Sequence, residues 1–383
     1  MDLTDKSLIE NQHAFLDDQR NKNSVFRIDQ NHWMLLGYDE VKTHLKNPIF
    51  LRQIEDSSEG VVHSILDMDF EEHWKYRKVL NPFFSSSSIK KIEETISNRI
   101  ESIFSNLRNE KQLDLVNNIG FKIPFFTICD ILGVELDQSF DYSFIKQWTM
   151  ETMAISNIVV SKDSYKTYLE GSYKLGNYLI ALLYGSKHKK NKDGLFYYLK
   201  SIYLDGEKIK DDQIISICLL LFIAGFETNL NSLTSIIYEM ILNNELKNDF
   251  MSRQRSTKNI EELLRYSSSI NFVTRRAAQD TEINGNKINE GEKILLHIGA
   301  ANRDPKVFKN PHSIILDRHN AEKHLSFGSG PHYCIGAGLS RMQIESTLYK
   351  FFSTFDNVKI EGIPVKNENH AINGYSSLQV SFS

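Results

Sequence analysis

A single thiol set among four glycines narrows what this chain can build. Residues 324–345 read HLSFGSGPHYCIGAGLSRMQIE, with Gly328, Gly330, Gly336 and Gly338 around Cys334. Glycines at that density let the backbone approach something flat and large very closely. After Cys334 the sequence turns helical, with Leu339, Met342 and Leu348 at apolar spacing. A cysteine just ahead of a helix meets unpaired amide N–H groups and the positive end of the helix dipole. Both are expected to lower its pKa and hold it as thiolate, which makes it a metal ligand or a nucleophile. The spacing F-x-x-G-x-x-x-C-x-G, Phe327 to Gly336, should occur by chance about 4 times in ten thousand chains of this composition. A lone cysteine without such surroundings is usually a buried hydrophobe.

Composition removes several function classes. Hydrophobic residues are 41% and charged residues 25% of 383, which suits a globular chain and not a disordered one. With 45 Lys+Arg against 49 Asp+Glu, the net charge of -4 excludes the strongly basic profile of a nucleic-acid binder. The three cysteines, Cys129, Cys218 and Cys334, lie far apart without a C-x-x-C pair. That excludes a disulfide framework and a zinc finger, and suits a reducing compartment. The start, MDLTDKSLIENQ, lacks the charged and apolar regions of a signal peptide. The longest apolar run, Ile214 to Phe226, is 13 residues broken only by Ser216. A membrane span needs about 20. The run is expected to be a helix buried in protein, in a cytoplasmic chain with no membrane anchor.

No repeat or long linker divides residues 1–383, so one domain is expected. Residues 25–36 read as a hairpin, with polar Asp29-Gln30-Asn31 between VFRI and WMLL. From about 38 to 260 the pattern is mostly helical. Ile89, Ile92, Ile96, Ile100, Ile103 and Leu107 form a core-facing stripe, with Ser88 as its N-cap. GSKHKKNKDG, residues 185–194, reads as a solvated Lys-rich loop. Residues 281–298 and 357–383 read as short strands and turns. The fold class is mainly α with small β-sheets (α+β).

Phe327–Gly336 resembles the haem-ligand loop of the cytochrome P-450 family, the haem-thiolate monooxygenases. By that resemblance Cys334 is the axial ligand of the haem iron, Phe327, Gly328 and Gly336 belong to the haem-binding loop, and His332 pairs with a haem propionate. Residues 224–228, Ala-Gly-Phe-Glu-Thr, are similar to the family's oxygen-binding helix. Ala224 and Thr228 are one turn apart and share a face. Gly225 is expected to remove bulk beside the haem. A Thr228 hydroxyl bonded to the carbonyl four residues back would bend the helix and open a groove for O2 and water. Glu227 supplies an acid to relay protons; the family more often has Asp there.

Glu262-Leu-Leu-Arg265 looks like the family's Glu–Arg pair, with Arg318 as the third, structural member. Such buried charges must pair, because either alone is costly. Arg275-Arg276-Ala277-Ala278-Gln279-Asp280 resembles the R-x-A-x-x-D stretch whose Arg meets a propionate. That points to Arg275, with adjacent Arg276 as competitor. His73 and Arg77, one turn apart, can face the same anionic group, expected to be a propionate. Ala301-Asn302-Arg303-Asp304-Pro305 also matches a family segment. Residues 267–273, SSSINFV, lack the proline the family often has there. The motifs span residues 73 to 336, and the resemblance covers essentially the whole chain.

The resemblance implies the cytochrome P-450 fold, with haem b (iron protoporphyrin IX) buried between the oxygen-binding helix and the cysteine loop. It implies insertion of one atom of O2 into an apolar organic substrate. Electrons would come from a separate ferredoxin- or flavodoxin-type donor, with Lys75, Lys78, Lys323 and Arg341 as a basic docking face. Pocket segments near 60–70, 150–170, 220–228, 267–273 and 373–378 carry Phe, Ile, Leu, Val and Met. A haem peroxygenase, a non-catalytic haem sensor or carrier, and a non-haem thiol enzyme remain as alternatives.

Overall fold

The apolar run from Ile214 forms the front half of a 32-residue helix, Asp211–Leu242, in a computed structural model of the chain. The structure describes residues 12–52, 64–136, 143–152, 161–185, 189–367 and 369–382. By length and composition this helix could cross a bilayer. It runs instead through the interior, with Ile214, Cys218, Phe222, Phe226, Leu233 and Ile237 in the largest core cluster. The helices Lys122–Leu132, Lys162–Tyr184, Leu195–Ser201 and Ala337–Thr354 pack around it. A helix hydrophobic on nearly every side needs neighbours on nearly every side.

The isoleucine stripe lies on the helix Ser86–Leu107 and buries Ile96, Ile100, Ile103 and Leu107. Its cap is Ser85, whose hydroxyl accepts from the Ser88 N–H at 3.3 Å. The expected cap, Ser88, is one turn inside, where its hydroxyl donates to the Pro82 carbonyl at 2.8 Å. The polar residues ahead of Ile89 extend the helix beyond the apolar signal. Helices also occur outside 38–260, at Thr257–Tyr266 and Ala337–Thr354.

The main sheet has five strands. The hairpin Val25–Arg27/His32–Leu35 joins it through His32–Leu35, which runs parallel to Lys293–His297. Lys293–His297 pairs antiparallel with Phe272–Ala277, and Phe50–Leu51 takes the edge. The sequence showed Phe272–Ala277 only as a cationic motif, because two arginines interrupt its apolar pattern. Within 281–298, Thr281–Ile283 and Asn286–Ile288 form a hairpin. Its Asn284-Gly285 turn has φ 49° and 77°, the positive values that a tight two-residue hairpin requires. At the end of the chain Lys359–Lys366 pairs with Tyr375–Ser381, joined by Gln112–Asp114 from within the helical body. In the Lys-rich stretch, Lys189–Lys190 pairs with Val134–Glu135, and residues 186–188 lie outside the described residues. Segment 267–273 is tied to the chain end instead of being stiffened by proline. The Asn271 N–H donates to the Ala371 carbonyl and the Asn373 N–H to the Ser269 carbonyl, both at 2.8 Å.

Candidate active site

The loop around Cys334 is closed by its own amide, which donates to the Phe327 carbonyl at 2.9 Å. The four glycines do different work. Gly328 and Gly330 have φ of 72° and 78°, a region costly for any residue with a Cβ. A Cβ on Gly338 would lie 2.9 Å from Ile89 Cδ1, so this glycine serves helix packing. Only beside Gly336 would a Cβ project into open space, with nothing within 4 Å.

The helix begins at Ala337, three residues after the thiol. The Gly336 amide and the charges of Arg77 and Arg341 do favour a thiolate. Burial outweighs them and pushes the Cys334 thiol above its ordinary range, opposite to the expected lowering. The side chain is open by contact area yet deeply surrounded by protein, so it lines an inner recess. A bound cation at the sulfur would invert that balance.

Next to this loop lies an excess of positive charge. His73 is buried on the helix Phe70–Leu80, with Arg77 one turn on. The His73 and His332 rings are 4.0 Å apart. Burial, then His332 and Arg77, push His73 down to about 4. Arg275 is 5% exposed, and its Nη1 donates to the Thr274 carbonyl at 3.0 Å. Burial and Arg52 lower its pKa to about 9. His332 Nδ1 is buried with no hydrogen-bond partner among the described residues. The Asp69 carboxylate faces this group, 3.8 Å from His332 Nε2. The structure thus brings His73, Arg77, Arg275 and His332 together, and it is Arg275, not Arg276, that shares the field of His332. Arg52 and Asp69 had no sequence signal. Arg52 arrives because Leu51 pairs with Arg276 across the sheet. Three arginines, Arg52, Arg77 and Arg275, against the carboxylates Asp67 and Asp69, with two histidines that burial holds as neutral imidazoles able to donate one N–H each, beside an open thiol, fit a dianionic, flat, metal-bearing group such as haem.

On the long helix, the Thr228 hydroxyl donates to the Ala224 carbonyl at 2.8 Å. Asn229 Nδ2 donates to the Gly225 carbonyl at 3.0 Å, and Asn231 Nδ2 to the Glu227 carbonyl at 2.8 Å. Ala224 is exposed and Thr228 half-buried on a helix otherwise largely covered. Gly225 does not clear space on that face. A Cβ there would meet Ile128 Cδ1 at 3.1 Å, so it lets the helix Lys122–Leu132 pack close. Glu227 Oε2 is buried without a partner among the described residues. Burial raises this carboxyl to about 8, so it holds its proton at neutral pH.

Glu262, Arg265 and Arg318 form one buried network. Arg265 Nε and Nη2 meet the two Glu262 oxygens at 2.7 and 2.9 Å, and Arg318 Nε meets Oε2 at 2.8 Å. The remaining guanidinium donors reach the carbonyls of Asn302, Lys309, Asn310, Pro311 and Ser313. The basic docking face is partly spent. Arg341 donates to the Glu261 carboxylate at 2.6 Å and lies 4.5 Å over the Phe327 ring, bracing the cysteine loop. Lys75 pairs with Asp205 at 2.8 Å. Lys78 and Lys323 are exposed. Of the pocket segments, residues 60–63 and 153–160 lie outside the described residues.

The family model Cytochrome P450 matches residues 249–379. "Putative cytochrome P450 YjiB" of Bacillus subtilis is 28% identical over 91% of this chain and 88% of its own length. "Methyl-branched lipid omega-hydroxylase" of Mycobacterium bovis is 26% identical over 92% of this chain and 84% of its own. A crystal structure of P450BioI, in complex with hexadec-9Z-enoic acid ligated acyl carrier protein, superposes with a TM-score of 0.86 over 98% of this chain and 99% of its own. At 22% identity that likeness speaks for the fold. With the thiol loop, the cation cluster and the family matches agreeing along the chain, this protein belongs to the cytochrome P450 family and is a haem-thiolate monooxygenase that takes O2 and electrons from a redox partner.

Proposed function

We propose that Cys334 would bind the iron of a haem b held in one catalytic domain spanning residues 1–383. His73, Arg77, Arg275 and His332 would hold its propionates, with Phe327, Gly328 and Gly336 shaping the loop and Ala224 facing the group from the long helix, while Gly225 seats that helix against Ile128. The observation that carries this reading is the buried His332 Nδ1, without a partner among the described residues, beside Arg275 and the Cys334 loop. When bound, the haem supplies O2 activation, and a thiolate ligand favours O–O cleavage over reversible storage. Glu227 holds a proton at a buried carboxyl. Thr228 spends its own hydrogen on the Ala224 carbonyl, so its lone pairs are free to accept a hydrogen bond and orient a proton donor in the groove, while the proton itself is held by Glu227. Glu262, Arg265 and Arg318 hold the scaffold beneath the loop.

The substrate is an apolar organic molecule, and a long aliphatic acyl chain is the first class to try. Two relatives point that way by name, one a lipid hydroxylase and one crystallised with an acylated carrier protein. The electron donor is a separate ferredoxin- or flavodoxin-type protein, and the enzyme works in the cytoplasm. The test is the absorption spectrum of the reduced, CO-saturated protein and of Cys334→Ala. A red-shifted Soret band that the variant loses supports the assignment. A histidine-type spectrum removes Cys334 as ligand and favours a sensor or carrier, and absence of haem overturns the reading. With donor and substrate supplied, Glu227→Gln should slow product formation by about 10²-fold, the lower end of general acid–base effects.

A further inference from the structure

Asn229 and Ser340 join the two halves of the site, and neither belongs to a motif read from the sequence. Asn229 follows Thr228 on the long helix, and Ser340 lies in the first turn of the helix that follows Cys334. Both are buried, and the Ser340 hydroxyl bonds to Asn229 Oδ1. The polarity of this link is determined by elimination. The Gly225 carbonyl only accepts, so the Asn229 amide nitrogen must face it, at 3.0 Å. The amide oxygen then faces Ser340, and the serine hydroxyl must donate. A continuous line runs from the cysteine helix through Ser340 and Asn229 to the Gly225 carbonyl. That carbonyl is next in the chain to the Ala224 carbonyl held by Thr228.

An apolar pair would pack these helices as well, at lower desolvation cost. What the polar pair adds is direction and distance, because a hydrogen bond holds only over a narrow range of both. We infer that Asn229 and Ser340 are positioning residues that fix the spacing between the Cys334 loop and the Ala224–Thr228 groove. The inference rests on the haem–thiolate reading above. The second polar link on the same helix supports this. Gln343, one turn after Ser340, donates through Nε2 to Thr127 Oγ1 at 2.6 Å on the helix Lys122–Leu132. Directed bonds therefore tie the cysteine helix both to the long helix and to the helix Lys122–Leu132.

The test compares wild type, Ser340→Ala and Ser340→Thr as purified holoproteins. Three quantities are read: the Soret position of the reduced CO complex, the infrared C–O stretch of that complex, and product formed per electron pair consumed. Ser340→Ala should keep the wild-type Soret position and haem content, shift or split the C–O band, and lower coupling threefold or more. Ser340→Thr, which keeps the donor, should restore the single band and the coupling. If Ser340→Ala retains the wild-type band and coupling, whatever its melting temperature, the pair merely satisfies buried polar groups and the proposal falls. If Ser340→Ala loses the red-shifted Soret, the serine acts through the ligand loop, which also overturns it. A wild-type protein without the red shift sinks the haem–thiolate reading itself, and this proposal with it.

Discussion

Glu227 keeps its proton at neutral pH because it is buried and its Oε2 has no hydrogen-bond partner among the described residues. Its folded pKa, about 8, lies above the ordinary 4.5. The folded state therefore holds a proton that the unfolded chain releases as pH rises through 4.5, and stability falls progressively until pH passes about 8. Each unit of difference is worth about 1.4 kcal/mol, so the whole effect is on the order of a few kcal/mol. Glu227→Gln cannot ionise, and its stability relative to wild type should grow from pH 6 to about pH 8 and level off above that in chemical denaturation. Parallel pH curves for the two proteins would show an ordinary carboxylate instead. Cys334 follows the same physics. Position ahead of a helix argues for a low pKa, but loss of water outweighs that position and raises it.

Among the elements, the long helix owes its place to small residues on its neighbours as much as to its own apolar surface. Gly120 lies in the π-helical turn Val116–Phe121, where a Cβ would come within 2.6 Å of Thr234 Cγ2 and 3.3 Å of the Leu115 carbonyl oxygen. Gly120→Ala should cost about 1–3 kcal/mol, the usual range for overpacking against atoms that cannot withdraw. Gly225→Ala meets only the tip of Ile128, and the gain in helix propensity offsets the contact, so it should be close to neutral. A Cβ on Gly176, in the helix Lys162–Tyr184, would meet nothing within 4 Å, so Gly176→Ala should stabilise by about 0.4–1 kcal/mol. Thermal melts of the three variants rank them. Equal losses at Gly120 and Gly225 would refute the distinction between a rigid and a yielding neighbour.

At the scale of the molecule, the Glu262 network ties the helix Thr257–Tyr266 to the segment from Asn302 to Arg318 that leads into the cysteine loop. Both charged partners of Glu262 are buried, so Glu262→Ala strands two guanidinium groups and should cost about 3–5 kcal/mol. Arg318→Lys keeps a charge but loses the fork that reaches the Lys309, Asn310 and Ser313 carbonyls, and should cost less, about 1–3 kcal/mol. Denaturation midpoints that reverse this order would mean that the surrounding carbonyls, not the carboxylate, hold the segment in place.

Cys334, Ala224–Thr228 and Glu262–Arg265 were legible because each is a local pattern, a few residues apart and set on one loop or helix. The hairpin at 25–36 and the isoleucine stripe were legible for the same reason, since period and turn chemistry are short-range. Arg52, Asp69, Asn229 and Ser340 carried no such pattern, and the strand Phe272–Ala277 was hidden by its own arginines. Residue types and local spacing carried the chemical inventory: one thiol among glycines, an acid–alcohol pair on an apolar helix, and a set of arginines and histidines along the chain. Which of these groups meet depended on the folded chain. It placed Arg275 and not Arg276 with His332, paired Arg341 with Glu261, turned Gly225 toward Ile128, and joined the cysteine helix to the long helix through Ser340. Those outcomes depend on burial and on contacts between residues up to hundreds of positions apart, where desolvation and directed hydrogen bonds outweigh any preference a residue shows among its neighbours in sequence.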